Sequence, residues 1–252
     1  MRETMITGHS GFENTGAATL NSVAAAIRMG LDCVEVDVRL DPEGIPRLSH
    51  DDFKNYKEAV LLRDAYELIA PSGIFVNVDL KTPDPLYAVL NLADECGFRP
   101  GQLIFSGSVE GSVLDADADI VHHAQVFWNL EEIIKSYFMS SETYMAMRTL
   151  PREESREAMD ELINSRFEEF VGIVKNHCVA ALNLSYRHLK SDTLEKLREH
   201  DIPLSVWTVN DEDRMKSIFA LKPVNLTTMQ PTLALKVRNE MQTDNQNKGW
   251  RL

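Results

Sequence analysis

Two hydrophobic patterns alternate along this chain. Short stretches rich in Val, Ile and Leu predict β-strands, whereas stretches with apolar residues every three or four positions predict amphipathic helices. The predicted strands cover residues 4–8, 33–38, 45–49, 74–80, 103–106, 180–184, 204–209 and 224–228. The first predicted helix begins at Leu20 and ends before Gly30. Further helices are predicted at residues 61–69, 86–96, 192–200 and 211–220.

The order of these elements predicts the fold class. Strand and helix alternate almost throughout, which favours a parallel sheet with helical crossovers. About eight strands favour a closed TIM (β/α)8 barrel over an open sheet. We expect a single barrel domain over residues 1–238, with a section at about 129–176 that carries two helical stretches. The polar tail, residues 239–252, is expected to fray.

Composition and charge limit the classes of partner. With 44% hydrophobic residues the chain can form a sizeable core, and a formal net charge of −13 argues against a nucleic-acid partner. An anionic substrate would need positive charge concentrated locally, from a metal or a few basic side chains.

Cysteine usage and hydropathy bear on the compartment. The scattered Cys33, Cys96 and Cys178 form neither a disulfide framework nor a zinc motif, so we expect buried, reduced thiols. No apolar run is long enough for a signal peptide or a membrane span, which predicts a cytoplasmic protein.

Carboxylates share one face of two predicted strands. Glu35 and Asp37 lie on the same face of their strand, opposite the valines, and Asp79 shares a face with Asn77 and Lys81. In a barrel such polar faces point inward, where three carboxylates predict a site for Mg²⁺ or Ca²⁺. The alternative is an antiparallel sheet whose charged face is simply solvated.

Histidines follow two predicted strands directly. His9 and His50 would therefore lie at the catalytic rim of a barrel, where imidazole suits proton transfer near neutral pH. Asp51 could orient the His50 ring. His122 and His123 are interpreted as structural residues on opposite faces of a strand. No functional signal attaches to His177, His188 and His200.

Seven short segments, taken in order, resemble the glycerophosphodiester phosphodiesterase family from about residue 6 to residue 231. The segments that carry the resemblance are Gly8-His9-Ser10-Gly11, Asn21-Ser22 with the later Gly30, Glu35-Val36-Asp37-Val38, His50-Asp51, Asp79-Leu80-Lys81, Val206-Trp207-Thr208-Val209-Asn210 and the degraded Thr228-Met229-Gln230-Pro231.

The resemblance implies a TIM barrel that hydrolyses phosphodiesters, and it implies a role for each motif. Glu35, Asp37 and Asp79 would bind one divalent cation, and His9 and His50 would form the acid–base pair. In addition, Lys81 would bind the phosphate and Trp207 would pack against the alcohol part of a small-molecule substrate.

The sequence departs from the family pattern in three places. Ser10 replaces the motif arginine, Asp79 replaces a glutamate, and the small domain usually inserted after the second histidine motif is largely absent. Since the arginine is missing, we expect the 129–176 section to supply substrate contacts, with Arg148 and Arg152 folding over the rim. The alternative is an outer helical pair whose arginines are solvated.

Three functions remain open at this point. The first is hydrolysis of glycerophosphodiesters to an alcohol and glycerol 3-phosphate. The second is a phospholipase D-like activity on lysolipids or sphingolipids, which an uncovered site would admit. The third is a non-catalytic phosphodiester-binding barrel, although a binding site alone needs no proton-transfer pair.

Overall fold

Eight parallel strands close into a barrel in the structure, a computed structural model that describes residues 3–117 and 120–249. The barrel strands are β1 (Met5–Gly8), β2 (Cys33–Leu40), β4 (Phe75–Leu80), β5 (Leu103–Gly107), β6 (Gln125–Asn129), β7 (Ala181–Ser185), β8 (Leu204–Trp207) and β9 (Asn225–Thr228). Neighbours in the barrel follow chain order, and β1 pairs with both β2 and β9 to close it. The predicted TIM barrel is therefore confirmed.

Helices connect the strands and surround the barrel. Within the described residues they are α1 (Leu20–Met29), α2 (Leu62–Ser72), α3 (Leu86–Glu95), α4 (Gly111–Ala116), α5 (Ile120–His123), α6 (Leu130–Tyr137), α7 (Ser141–Arg148), α8 (Arg152–Ser165), α9 (Phe167–Asn176), α10 (Ser191–Glu199), α11 (Glu212–Ala220) and α12 (Pro231–Gly249). The helix predicted to begin at Leu20 is α1, which is capped by Thr19 and ends at Gly30 in the left-handed conformation.

One predicted strand lies outside the barrel, and one barrel strand escaped prediction. Residues 45–49 contain β3 (Pro46–Leu48), which pairs antiparallel with β2. The preceding turn reverses the chain, because Asp41 accepts hydrogen bonds from the N–H groups of Glu43 and Ile45. A turn this short cannot join parallel strands, which need a long crossover. The eighth barrel strand is instead β6.

Strand β6 gave no alternating signal because both of its faces are buried. Val126 and Trp128 join the main core, while Phe127 joins a smaller apolar cluster with Cys33, Ile104 and Ala181. Val126, Phe127 and Trp128 are three consecutive apolar residues, and such a run shows no period of two.

Three further predictions are corrected. The 129–176 section begins at the last residue of β6 and contains four helices, α6–α9, where two helical stretches were predicted. The backbone at Arg166 leaves the helical conformation and separates α8 from α9. His122 and His123 lie on the short helix α5 and not on a strand. The predicted tail is helical as far as Gly249, as part of α12, and residues 250–252 lie outside the described part of the chain.

Cysteine environments differ from one another, contrary to the prediction that all three would be buried. Cys33 is buried, Cys96 is partly buried and Cys178 is exposed, and all three are free thiols. Burial raises the pKa of Cys33 to about 12, so this thiol is unreactive at neutral pH.

A chain of hydrogen-bonded polar side chains connects neighbouring strands inside the barrel. Asn225 accepts a hydrogen bond from Thr7 on β1 and donates to Ser205 on β8, and Ser205 donates in turn to Asn183 on β7. Asn183 then donates to Asn129 on β6. This chain of bonds satisfies polar groups that would otherwise be costly to bury, and it holds neighbouring strands in register.

The helices of residues 3–117 and 120–249 were compared with the length and apolarity of a membrane span. None of the helices there combines the length and the apolar character that a membrane span needs.

Candidate active site

Strands β2 and β4 bring the predicted carboxylates together. Their parallel register places Glu35 opposite Asn77 and Asp37 opposite Asp79. One carboxylate oxygen from each of Glu35, Asp37 and Asp79 lies within 4.8 Å of the others. The valines of both strands point to the outer core, as predicted. The shorter side chain of Asp79, compared with the family's glutamate, still reaches the cluster.

Burial and mutual repulsion make this carboxylate cluster unstable on its own. Glu35 is 4% exposed and Asp37 is 2% exposed. Burial, followed by the charges of Asp37 and Asp79, raises the pKa of Glu35 well above its ordinary value. A hydrogen bond of 2.7 Å from the Ser10 N–H to Glu35 Oε2 opposes that shift only in part.

Lys81 places one ammonium group beside the cluster. Its Nζ lies 2.6 Å from Asp37 Oδ1 and 2.5 Å from Asp79 Oδ2. Burial alone would lower the pKa of Lys81, but the charges of Asp79 and Asp37 and the hydrogen bonds to them outweigh it and raise the pKa. The lysine is therefore held as a cation at the point where the two strands end.

His9 follows β1 and lies beside the cluster. Its Nδ1 is 3.7 Å from Glu35 Oε2 and 3.2 Å from the carbonyl oxygen of Ser10. A proton on Nδ1 that is directed to this carbonyl leaves Nε2 as the basic nitrogen of the neutral ring.

Ser10 does not face the cavity. Its side chain is 5% exposed, and its hydroxyl accepts a hydrogen bond from the Ala18 N–H. The position of the motif arginine is thus used to hold the loop between β1 and α1. An arginine here would have to displace that loop before it could contact a substrate.

His50 reaches the cavity by a different route from the one predicted. It follows β3, the antiparallel strand, and not a barrel strand. Arg39 donates to the carbonyl oxygen of His50 and forms an ion pair of 2.8 Å with Asp52, which fixes the backbone around the histidine. The His50 Nδ1 lies 2.8 Å from Asp51 Oδ1, so the neighbouring carboxylate contacts the ring that it was expected to orient. The ring is 66% exposed.

All the predicted site residues except Asp37 line one cavity of about 340 Å³ at the carboxyl ends of the strands. Asp37 is paired with Lys81, which does line the cavity. Further lining residues include Ser106, Asn129, Glu131, Tyr144, Arg148, Asn183 and Thr227. Of the two arginines expected at the rim, Arg148 lines the cavity, whereas Arg152 is exposed at the first residue of α8 and is not part of the lining.

The sequence did not indicate Glu131, Tyr144, Asn129 or Asn183 as cavity residues. Asn129 is the last residue of β6 and lies in register with Asn183 in the middle of β7, so a prediction of β6 would have placed Asn129 at the rim. Glu131 and Tyr144 lie on α6 and α7, and their position depends on helix packing that no local pattern reveals.

The cluster fits a hard divalent cation. It offers three carboxylates against the single ammonium of Lys81, and such ions prefer oxygen ligands. The buried Asn77 Oδ1, on the strand face that carries Asp79, has no hydrogen-bond partner among the described residues. This carbonyl oxygen is the kind of atom that Mg²⁺, Ca²⁺ or their bound waters would satisfy.

We expect Glu35→Gln to stabilise the protein in the absence of divalent cations. A raised carboxyl pKa costs stability as the pH rises from the unfolded value through the folded one, so the penalty is present at pH 8. Glutamine keeps the acceptor for Ser10 and removes the charge. Urea unfolding at pH 8 in EDTA should show a gain of about 1 kcal/mol. The exposed Glu168→Gln serves as the control, and a loss of stability in Glu35→Gln would contradict the account.

Known proteins resemble this chain in structure but not in sequence. No protein-family model matches the sequence, and no curated protein is significantly similar to it. The chain is structurally similar to a glycerophosphodiester phosphodiesterase from Parabacteroides distasonis, with 14% identity, a TM-score of 0.67 and coverage of 95% of this chain and 98% of that one. It is similar to the enzyme of the same name from Thermotoga maritima at 20% identity and a TM-score of 0.66, covering 94% and 99%.

A third structure includes a ligand. A phosphodiesterase from Oleispira antarctica, in complex with the product sn-glycerol-3-phosphate, matches at 16% identity and a TM-score of 0.67, with 94% and 97% of the two chains covered. Identities this low establish the fold and leave the chemistry to the site itself. The chain therefore has the fold of the glycerophosphodiester phosphodiesterases, as its motifs predicted.

Proposed function

We propose that the protein is a metal-dependent phosphodiester hydrolase that cleaves glycerophosphodiesters to an alcohol and glycerol 3-phosphate. The observation that carries this proposal is the joint placement of two histidines, a carboxylate cluster and a lysine at one cavity of a barrel with this fold. Acidic clusters alone are common on proteins, but a proton-transfer pair beside a buried cluster has no use in a simple structural role.

Glu35, Asp37 and Asp79 would hold one divalent cation, Mg²⁺ or Ca²⁺, in this proposal. Such an ion supplies charge stabilisation to the phosphate oxygens. Lys81, beside the same carboxylates, adds a cation for the phosphate group, and Arg148 brings a second basic side chain to the cavity. Together they offset the overall acidity of the chain at the one place where an anion must bind.

His9 and His50 would move the two protons of the reaction. One histidine takes a proton from the attacking nucleophile while the other gives a proton to the leaving alkoxide. The Nδ1 contacts of His9 with Ser10 and of His50 with Asp51 leave the Nε2 atoms for this chemistry. Trp207, partly exposed at the end of β8, would pack against the alcohol part of the substrate.

The small volume of the cavity favours small substrates over lysolipids. Its volume of about 340 Å³ is at the lower end for ligand sites, and most of its lining is polar or charged. Between β3 and α2 the chain has only a short 3₁₀ helix, Tyr56–Glu58, in place of a covering domain. A lysolipid could therefore enter, although a cavity of about 340 Å³ is small for an acyl chain together with its head group. A cytoplasmic location stays a prediction from the sequence.

A direct assay tests the activity. We expect the purified protein with Mg²⁺ or Ca²⁺ to release glycerol 3-phosphate from small glycerophosphodiesters, and EDTA to abolish the release because the cluster would lose its ion. Lysolipids and sphingomyelin are measured in parallel. Faster turnover of lysolipids would transfer the assignment to a phospholipase D-like enzyme. Binding of diesters without hydrolysis of any would indicate the non-catalytic barrel.

Substitution of the histidines tests the mechanism. His9→Ala and His50→Ala should each lower kcat by roughly 10²–10⁴-fold, the usual effect of removing a positioned acid or base. KM should change less, since the cation and Lys81 supply most of the binding. His122→Ala, at an exposed position on α5, is the matched control. Near-normal turnover in either variant would reassign that histidine to a structural role.

A further inference from the structure

Arginines gather at the mouth of the cavity near the end of β7. Arg148 lines the cavity from α7, Arg152 is the first residue of α8, and Arg187 lies two residues after β7. All three side chains are exposed. We call Arg148, Arg152, Arg187 and the neighbouring Tyr186 the arginine rim.

The Tyr186 hydroxyl group brings two of these arginines together. Arg187 Nε donates a hydrogen bond of 2.9 Å to the Tyr186 hydroxyl oxygen. This bond is the main cause that lowers the pKa of Tyr186; the charge of Arg187 and the charge and hydrogen bond of Arg152 add to it, and partial burial opposes it. Two guanidinium groups therefore meet at one oxygen. The hydroxyl proton of Tyr186 has no acceptor in the described part of the chain, so it remains available to a ligand.

No carboxylate neutralises the rim arginines among the residues described. The arginine ion pairs of residues 3–117 and 120–249 involve Arg39, Arg47, Arg63, Arg166, Arg198 and Arg238. Glu153 and Glu154 follow Arg152 by one and two positions on α8, so they do not share its face of the helix. Glu157 is paired with Lys190 at 3.5 Å. In a chain with 39 acidic and 26 basic residues, an arginine pair without an acid indicates an anion that comes from outside.

The arginine rim is joined to the cavity through the end of β7. The Tyr186 N–H donates a hydrogen bond of 3.0 Å to the carbonyl oxygen of Trp207, and Trp207 lines the cavity. Burial and the charge of Arg148 both lower the pKa of His188, so Arg148 extends from the cavity to the segment that follows Tyr186. An anion at the rim and a phosphate beside the carboxylate cluster would thus be two ends of one ligand.

The donors of the rim are suited to a phosphate. Guanidinium groups stay charged at physiological pH and bind phosphate or carboxylate oxygens through paired N–H groups. Arg152, Arg187 and the Tyr186 hydroxyl are three donor groups around one point, and a phosphate monoester offers three acceptor oxygens. A carboxylate offers only two, and a neutral or cationic group would leave the arginines uncompensated.

An anionic membrane surface is the alternative partner. Met145 and Leu150, close to Arg148 in the chain, are 56% and 42% exposed and would suit lipid. Segments that bind anionic membranes carry about four to eight Lys or Arg side chains. Here two of only three arginines converge on one oxygen, beside a cavity of about 340 Å³ that suits a small ligand. The observations therefore favour a discrete anion.

We propose that the arginine rim is a subsite for a second phosphate group, so that the substrate is a soluble phosphodiester that carries a phosphomonoester at its far end. Arg152 and Arg187 are the specificity-determining residues, and Tyr186 positions them. The inference rests on the proposed function for the place of the scissile phosphate, beside Lys81. In the barrel, two strands separate β7 from β4 and three separate it from β2, so a linker must hold the two phosphates apart.

Binding of bisphosphates tests the rim without turnover, since these ligands contain no diester. Isothermal titration at low ionic strength, with Mg²⁺ present, compares propanediol, hexanediol and nonanediol bisphosphates with propyl, hexyl and nonyl phosphates. We expect the wild-type protein to bind a longer bisphosphate at least ~10-fold more tightly than the monophosphate of the same chain length, because the second contact is intramolecular. Added salt should reduce this preference, because it screens exposed charges.

Substitutions locate the second phosphate. Arg152→Gln and Arg187→Gln should each reduce the preference to about 3-fold or less, with the affinity for monophosphates unchanged. Arg28→Gln is the matched control, because Arg28 is exposed in the last turn of α1, at the opposite end of the barrel, and its loss changes the net charge equally. This control should keep the full preference.

Three results of the titration would overturn the inference. The first is a wild-type protein that binds monophosphates and bisphosphates equally. The second is a preference confined to propanediol bisphosphate, which would place the second phosphate beside the first. The third is a preference that survives both rim substitutions.

Vesicle sedimentation separates a soluble phosphate from a lipid head group. We expect no more protein to sediment with phosphatidylglycerol vesicles than with phosphatidylcholine vesicles. Sedimentation with the anionic vesicles that Arg152→Gln and Arg187→Gln abolish would assign the rim to a membrane surface and overturn the substrate subsite.

Diester hydrolysis separates this inference from the proposed function. Hydrolysis of glycerophosphodiesters without any bisphosphate preference would refute the rim subsite alone. A bisphosphate preference in a protein that hydrolyses no diester would refute the proposed function alone.

Discussion

Repulsion among three carboxylates at the barrel mouth, two of them buried, is the constraint on which the rest of the site depends. The in-register pairing of β2 with β4 forces Asp37 next to Asp79 and leaves Glu35 one pleat below, so the chain cannot relax by moving them apart. Lys81 compensates only in part, which is why the pKa of Glu35 is raised by burial and by its neighbours. Natural sequences keep such a cost where function requires it.

The layers of the barrel interior stabilise the fold and so offset this repulsion. Below the carboxylates, a small apolar layer that includes Phe127 and Ile104 closes the barrel against solvent. Inside the barrel, the hydrogen-bonded chain from Thr7 through Asn225 to Asn183 holds strands β1, β9, β8 and β7 together. Rigid strands can hold like charges together where loops would let them separate. By contrast, the catalytic candidate His50 lies on an exposed loop outside the barrel strands.

The sequence allowed the carboxylate cluster to be predicted because strand alternation has a period of two and assigns faces directly. Valines on one side of β2 and β4 determined where Glu35, Asp37 and Asp79 would point. Which strands belong to the barrel was harder to predict. Strand β3 was counted in the barrel although its tight turn requires an antiparallel partner. Strand β6 was missed because its three central residues are all apolar and show no alternation. Tyr144 could not be predicted as a cavity residue, since its place depends on how α6 and α7 pack against each other.

The most direct test of the central claim is the position of a cation in a crystal soaked with Mn²⁺, whose anomalous scattering locates it without ambiguity. We expect one strong peak within roughly 2.0–2.6 Å of oxygens from Glu35, Asp37 and Asp79, with the Lys81 ammonium displaced from between the two aspartates. A cluster that stays empty at millimolar Mn²⁺, with Lys81 still bridging Asp37 and Asp79, would contradict it. The carboxylates would then form a structural ion-pair network, and hydrolysis would need another explanation.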